Sequence, residues 1–462
     1  MMARFFTFLE SIAIGRESDP ADEVLLRFTD GQVFTRRNAR EAVLVLASVG
    51  GGKTTLLRTI QRAYLRDGMG GLVLVVKPSQ IAEFETLAKQ ESRERELIVL
   101  GRPGVVFNPL EGESSSVEAA ALVCEIAQAI SGQTSASDND AFWREQLGIL
   151  LRNLFTLCLI AYGRHDLLLA AELFSGRANS LAELDDPNWQ TSSRLAAALT
   201  LAKGAPSPDA RLAVEYFTRE FPTCGDRLQG SLAATAAGVL DYFCREPLRH
   251  LFTGQSSFNM DDLLDRGRIC VVGLPVLESN AGRAANALMQ YCFLRTATKR
   301  ARKRHSFLIS DECQETVSRH LMQQLALVRE FQICSVFASQ NLAVLDDRLG
   351  ESRREAFCGL QALKIFGPQG HAATRQWATE QVGKRQVEVE TESRSRSRTL
   401  ASRTETRGTS THKHWDYRVP PSLMASLSLG ETVCLRGGKV WRATWHRDAP
   451  GRAGTVQIPF SL

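Results

Sequence analysis

The sequence has no CxxC pair, although ten cysteines are scattered between Cys124 and Cys434, and no Cys/His group with the spacing of zinc ligands. That argues against a metal-stapled or dithiol redox protein and reads as reduced, mostly buried thiols in a cytosolic chain. A long apolar run is also missing. The most apolar stretch, Leu147 to Tyr162, is short and contains Arg152 and Asn153, whereas a membrane-spanning helix needs roughly 20 apolar residues. The opening MMARFFTFLESIAIGRES holds Glu10 inside its apolar part and shows no clear cleavage site, unlike a secretory signal. Charge of one sign is not in excess either. With 56 basic against 51 acidic residues the net charge is +5, so bulk electrostatics does not announce a nucleic-acid binder, while a local basic surface stays open. No repeat of fixed period is present.

What is present is ordinary globular material, 44% apolar and 23% charged over 462 residues, a length that predicts two or three domains. Residues 23–36, EVLLRFTDGQVFTR, place two β-like runs around Asp30-Gly31, a hairpin signal, and predict a small β element within residues 1–40. Short buried-strand runs follow at 42–46 (AVLVL), 72–76 (LVLVV) and 97–100, separated by helical stretches, the pattern of a parallel sheet covered on both faces. From about 112 to 256 strand-like runs cease. Helical segments at 117–130, 141–162, 167–174, 193–202, 210–221 and 232–252 predict an all-α domain inserted into an α/β domain made of 41–111 and 257–462. Strand runs return at 269–273, 307–310, 334–338 and 363–366, with helical stretches at 279–303, 315–330 and 371–382. The Ser-, Thr- and Arg-rich stretch from about 388 to 414 reads as a mobile loop. The β-like runs of ETVCLRGGKVWRATW close the chain around Gly437-Gly438.

The chemistry concentrates in a few places. Ala47-Ser-Val-Gly-Gly-Gly-Lys53-Thr54 has Walker A spacing between a strand and a helix, with Ala47 where the first glycine usually stands. Gly50, Gly51 and Gly52 let backbone N–H groups wrap phosphates without an intervening Cβ, and the helix that follows turns its positive end to the anion. Lys53 is placed to reach the β- and γ-phosphates of ATP and Thr54 to ligate Mg²⁺, with Thr55 completing the binding stretch. Such a site needs a carboxylate at a neighbouring strand end. Only Phe307-Leu-Ile-Ser310 runs directly into an acid pair. Asp311 reads as the magnesium-shell acid and Glu312 as the base that orients water, with a merely solvated strand-end pair as the alternative. After the strand 334–338, Gln340 reads as a γ-phosphate sensor or as a turn-capping amide. Arg329 reads as an arginine finger for a neighbouring subunit or as a surface arginine at a helix end.

These motifs, with FNPL (107–110), FNMDDLLDRGRICVVGLP (258–275), FLISDE (307–312), VREFQICSVFASQN (328–341) and PPSLMASLSLGETVCLRGG (420–438), resemble the FtsK–HerA superfamily of ring-forming P-loop ATPases. The closest likeness is to the cytosolic part of type IV secretion and conjugation coupling proteins. The resemblance implies a RecA-like domain with a mostly parallel sheet and a helical insertion, and a hexameric homo-oligomer that moves DNA by ATP hydrolysis. It also implies that Arg329 matches the arginine before the last catalytic strand. Two features set the chain apart: no membrane helix is evident, and Val76-Lys77-Pro78-Ser79 stands where such proteins often carry Asp-Pro-Lys-Gly. The expectation is therefore a cytoplasmic motor, peripheral at most to a membrane complex, working with an effector, nuclease or secretion-channel protein. The competing readings are a nucleotide-regulated assembly platform, a protein-moving ATPase and, remotely, a nucleotide kinase. Direct signs of DNA binding are slight. Residues 391–418 hold seven basic and three acidic side chains, and Lys299 to Arg304 form a second basic run.

Overall fold

The computed structural model describes residues 22–28, 32–131, 138–299, 304–327, 329–399 and 402–445. The Asp30-Gly31 turn, the opening segment and most of the Lys299–Arg304 run lie outside them. Strands β1 (Val24–Arg27) and β2 (Val33–Thr35) pair antiparallel ahead of the main sheet.

The main sheet has nine strands: β3 (Val43–Leu46), β4 (Gly70–Leu74), β5 (Leu97–Leu100), β6 (Ile269–Val272), β7 (Ser306–Asp311), β8 (Ile333–Ser339), β9 (Leu363–Phe366), β12 (Glu431–Arg436) and β13 (Lys439–Thr444). Their spatial order is β13-β12-β9-β3-β8-β7-β4-β6-β5. From β9 to β5 every pairing is parallel, while β12 joins β9 antiparallel and β13 closes that edge as a hairpin partner. Burial follows the strand period of two. Val43 and Val45 face a core shared with the helices Lys53–Arg66 and Ser79–Gln90, whereas Leu44 and Leu46 face a second core on the other side. Both faces being covered is why these strands read as continuous apolar runs. The expected α/β class with a mostly parallel sheet is the observed one.

Between β5 and β6 the described chain is helical, led by Ser116–Ser131, Asp138–Tyr162 and Asp226–Cys244. These helices extend the second core rather than building one apart from the sheet. Leu150, Phe155 and Phe243 belong to the same buried cluster as Leu44 and Leu72, and Phe107 stacks on Phe258 at 5.4 Å. No single helix among the described residues is long and apolar enough to cross a membrane; Phe142–Tyr162 and Leu167–Ser175 meet the criteria of length and composition only together, across a 105° bend. The ten cysteines form no disulfide, and seven of them are buried.

Three local expectations need correcting. The helix expected over 232–252 ends at Cys244 and resumes at Leu248, because Pro247 has no N–H to continue the ladder. The helix expected over 315–330 shrinks to Arg319–Leu325, opened by the Ser318 hydroxyl accepting from the Leu321 N–H, so Arg329 stands in the turn beyond it. The supposed mobile loop of about 388–414 is instead a two-stranded antiparallel ribbon, β10 (Lys384–Thr399) with β11 (Ser402–Tyr417). Low apolar content removes the reason to bury such a segment, but it leaves cross-strand backbone pairing intact.

Candidate phosphate-loop site

The loop after β3 climbs over the carboxyl ends of the parallel strands, where open α/β sheets place their ligands. Gly52, at φ 88°, turns the chain into the helix Lys53–Arg66, whose N-terminus no side chain caps. The first N–H groups of that helix therefore face outward with the positive end of its dipole, a site for an anion. Loop packing leaves no spare room at Gly52: a Cβ there would meet the Gly430 backbone at 3.0 Å, just before β12. On the other flank the Ser48 hydroxyl donates to Gln369 Oε1 at 3.1 Å and accepts from the Gly370 N–H at 3.0 Å.

Lys53 extends from the first helical turn to the end of β7. Its Nζ lies 2.9 Å from Asp311 Oδ1 and 2.7 Å from Glu312 Oε1, with the lysine and glutamate side chains 11% and 5% exposed. Burial alone would lower the lysine, but the two carboxylates hold it above its ordinary value. Burial likewise pushes the Glu312 carboxyl up, and attraction to Lys53, with hydrogen bonds from Lys53, Gln314 and Gln340, overcomes this and holds it down at about 2. Glu312 also occupies the left-handed region, φ 58° and ψ 53°, a conformation that costs a non-glycine residue about 1–2 kcal/mol and is concentrated at functional sites.

Amides surround this acid. Gln340 Nε2 donates to Glu312 Oε1 at 3.2 Å and Gln314 Nε2 to Oε2 at 3.0 Å. Gln314 in turn accepts from the Ser339 hydroxyl at 2.9 Å, and Gln369 Nε2 reaches the Gln340 carbonyl at 2.6 Å. One polar chain thus runs from Ser48 in the loop through Gln369 and Gln340 to Glu312. Lys77, beyond β4, brings a second ammonium to Glu312 Oε1 at 3.2 Å. Gln80 donates to Asp311 Oδ2 at 3.2 Å. Thr54 and Asp311 border one small crevice together with Gln80. A cavity of about 650 Å³ between the helical region and the sheet touches this network through Gln314.

Of the residues singled out in the sequence, the structure gathers Gly50, Gly51, Gly52, Lys53, Thr54, Asp311, Glu312 and Gln340, and Thr55 follows within the first helical turn. Arg329 stands apart. It is mostly exposed, and its Nη2 lies 4.0 Å from Glu41, which precedes β3 at the amino ends of the parallel strands, opposite the phosphate loop. Lys77, Gln80, Gln314 and Gln369 were missed. Lys77, Gln314 and Gln369 each sit three residues beyond the end of a strand, at Leu74, Asp311 and Phe366, the one signal available.

Loop, acid pair and sheet order define a P-loop α/β protein. The family described as the TraM recognition site of TraD and TraG matches residues 305–426. The chain is similar in fold to the bacterial conjugative coupling protein TrwBdeltaN70 in its unbound form, with a TM-score of 0.65 and 16% identity over 95% of this chain and 91% of that one. TrwB in complex with the GTP analogue GDPNP gives 0.63 and 14% over 95% and 92%, and TrwB with ADP and Mg²⁺ gives the same values. No curated protein sequence matches the chain.

Proposed function

We propose that the chain is an ATP-driven motor of the conjugative-coupling kind that acts on DNA as a hexameric ring in the cytoplasm. The observation that carries this reading is the convergence of Lys53 on Asp311 and Glu312 beneath a glycine loop at an uncapped helix N-terminus. The fold shared with nucleotide complexes of TrwB supports it.

The residues fit Mg²⁺ and ATP. The Thr54 hydroxyl and Asp311 carboxylate are the hard oxygen donors that magnesium prefers, and both border the same crevice. When bound, the metal would neutralise phosphate charge and orient the leaving group. Before nucleotide arrives, Lys53 is held by the acids; triphosphate oxygens compete for that ammonium. Its departure removes the main charge holding Glu312 down, so proton affinity rises at the residue that must orient water and take its proton. Gln340, on Glu312 Oε1, fixes that carboxylate and can relay phosphate release towards Gln369 and the loop. Exposed Arg329 is assigned to a neighbouring subunit's site as the finger, which accounts for its distance from the chain's own Lys53.

A second reading, recruitment of a protein partner without pumping, is favoured by one finding: the family matched over 305–426 is described as a recognition site. Steady-state ATP hydrolysis with and without single- or double-stranded DNA separates the two. Several-fold stimulation by DNA, abolished by Glu312→Gln, supports the motor. ATP-dependent association with a partner, and hydrolysis indifferent to DNA across salt concentrations, supports recruitment.

A further inference from the structure

The ribbon β10–β11 has two chemically different faces. The register pairs Arg394 with Arg407, Arg396 with Glu405 and Arg398 with Arg403. Directly paired positions share a face, and successive positions alternate. By register and sequence, the positions of one face of the distal half, 392 to 398 and 403 to 409, hold five arginines and two glutamates, a net of +3. On the other face, from Thr391 to Thr399 and from Ser402 to Ser410, every position is serine, threonine or glycine. The proximal half is built differently. There Glu388 is paired with Lys413 and joined to it at 2.7 Å, and Arg385 is paired with Asp416. Opposite charges face each other near the root, whereas like charges face each other twice towards the tip. Like charges directly across a strand pair destabilise it, so the distal pattern weakens the ribbon by itself and suits a polyanion laid along it.

We infer that this arginine face is a contact surface for the phosphate backbone of duplex DNA. This rests on the motor reading and specifies where the substrate is held. Arginines two positions apart on a strand are about 6.8 Å apart, twice the roughly 3.4 Å axial rise per phosphate of one DNA strand. A two-stranded ribbon is also of a size that the major groove, about 12 Å wide, admits. At 16 residues per strand the ribbon reaches about 50 Å from its root. Both ends of the segment that carries it return to the phosphate loop. On one side the helix Ala372–Val382 follows Gln369 and Gly370, which bond Ser48. On the other, the chain after Tyr417 passes the helix Pro421–Ser426 to Gly430, which is packed on Gly52. DNA held on the ribbon thus acts on a segment anchored at both ends to the nucleotide loop.

The test measures binding of the full chain to a labelled duplex as a function of salt. It compares wild type with a variant carrying Arg394→Gln, Arg396→Gln, Arg398→Gln, Arg403→Gln and Arg407→Gln. A variant with Ser393→Ala, Ser395→Ala and Ser397→Ala controls for the opposite face, and thermal unfolding midpoints check folding. With each phosphate contact contributing about 0.9 to the log–log salt slope, the arginine variant should lose about 3 to 4 from that slope and bind at least about tenfold more weakly. The serine variant should match wild type. Wild-type binding that persists with the same slope in the arginine variant overturns the ribbon assignment and leaves the motor reading standing. Absence of duplex binding by wild type overturns the ribbon assignment, and the motor reading falls with it when neither single- nor double-stranded DNA stimulates hydrolysis. Arginine-dependent binding to phosphatidylserine vesicles or to an acidic protein, without duplex binding, would reassign the face and likewise overturn the proposal.

Discussion

Replacing Glu312 by glutamine keeps the shape of the side chain and removes the charge on which Lys53 and Lys77 converge at 2.7 and 3.2 Å. The carboxyl is held at about 2 against an ordinary 4.5. At about 1.4 kcal/mol per tenfold change in proton affinity, this corresponds to about 3 kcal/mol of stability. A folded-state value below the unfolded one means that this contribution is fully present above pH 4.5 and is lost as pH falls towards about 2. Glu312→Gln abolishes this dependence. Denaturant unfolding of nucleotide-free protein, wild type and variant, at several pH values between 6 and 2.5 measures it. The stability difference between the two proteins should be largest near pH 6 and shrink by about 2 kcal/mol or more towards pH 2.5. A difference that stays constant across that range would refute the account of Glu312 as an ionised acid held by Lys53.

Three further outcomes follow from the geometry. Gly50 and Gly52 both have positive φ, but a Cβ at Gly50 meets nothing within 4 Å while one at Gly52 meets the Gly430 backbone at 3.0 Å; Gly52→Ala should therefore weaken binding of an ATP analogue about tenfold more than Gly50→Ala, read by fluorescence titration. Arg329→Ala, at an exposed site with one long ion pair, should leave the unfolding midpoint unchanged and lower hydrolysis by 10²-fold or more, and mixing it with Lys53→Ala subunits should restore part of the activity if the finger acts between subunits. Gln369→Ala removes the link between Ser48 and the Gln340 carbonyl; a destabilisation of about 1–3 kcal/mol, with nucleotide affinity less affected than turnover, is expected from chemical denaturation and kinetics.

Much of the sheet was legible because its strands are buried on both faces, so β3, β4 and β6 appear as short unbroken apolar runs. The acid pair was legible because only β7 runs straight into carboxylates. Strand order was not, and it decides which loops meet. Gln369 reaches Gln340 because β9 and β8 flank β3 in the sheet, and Gly430 meets Gly52 only because β12 adds antiparallel at that edge. The ribbon escaped notice for a different reason. Its alternation is of charge against hydroxyl rather than apolar against polar, so a search for a buried face finds none. The break at Pro247 was readable from backbone chemistry alone and was overlooked because apolar spacing continues on both sides of it.

Calorimetric titration of the full chain with a non-hydrolysable ATP analogue and Mg²⁺ tests most directly whether the ion pairs of Lys53 mark a resting nucleotide site. Saturable binding by wild type and Glu312→Gln, lost in Lys53→Ala, is the predicted result. Failure of wild type to bind, or equal binding by Lys53→Ala, would contradict it.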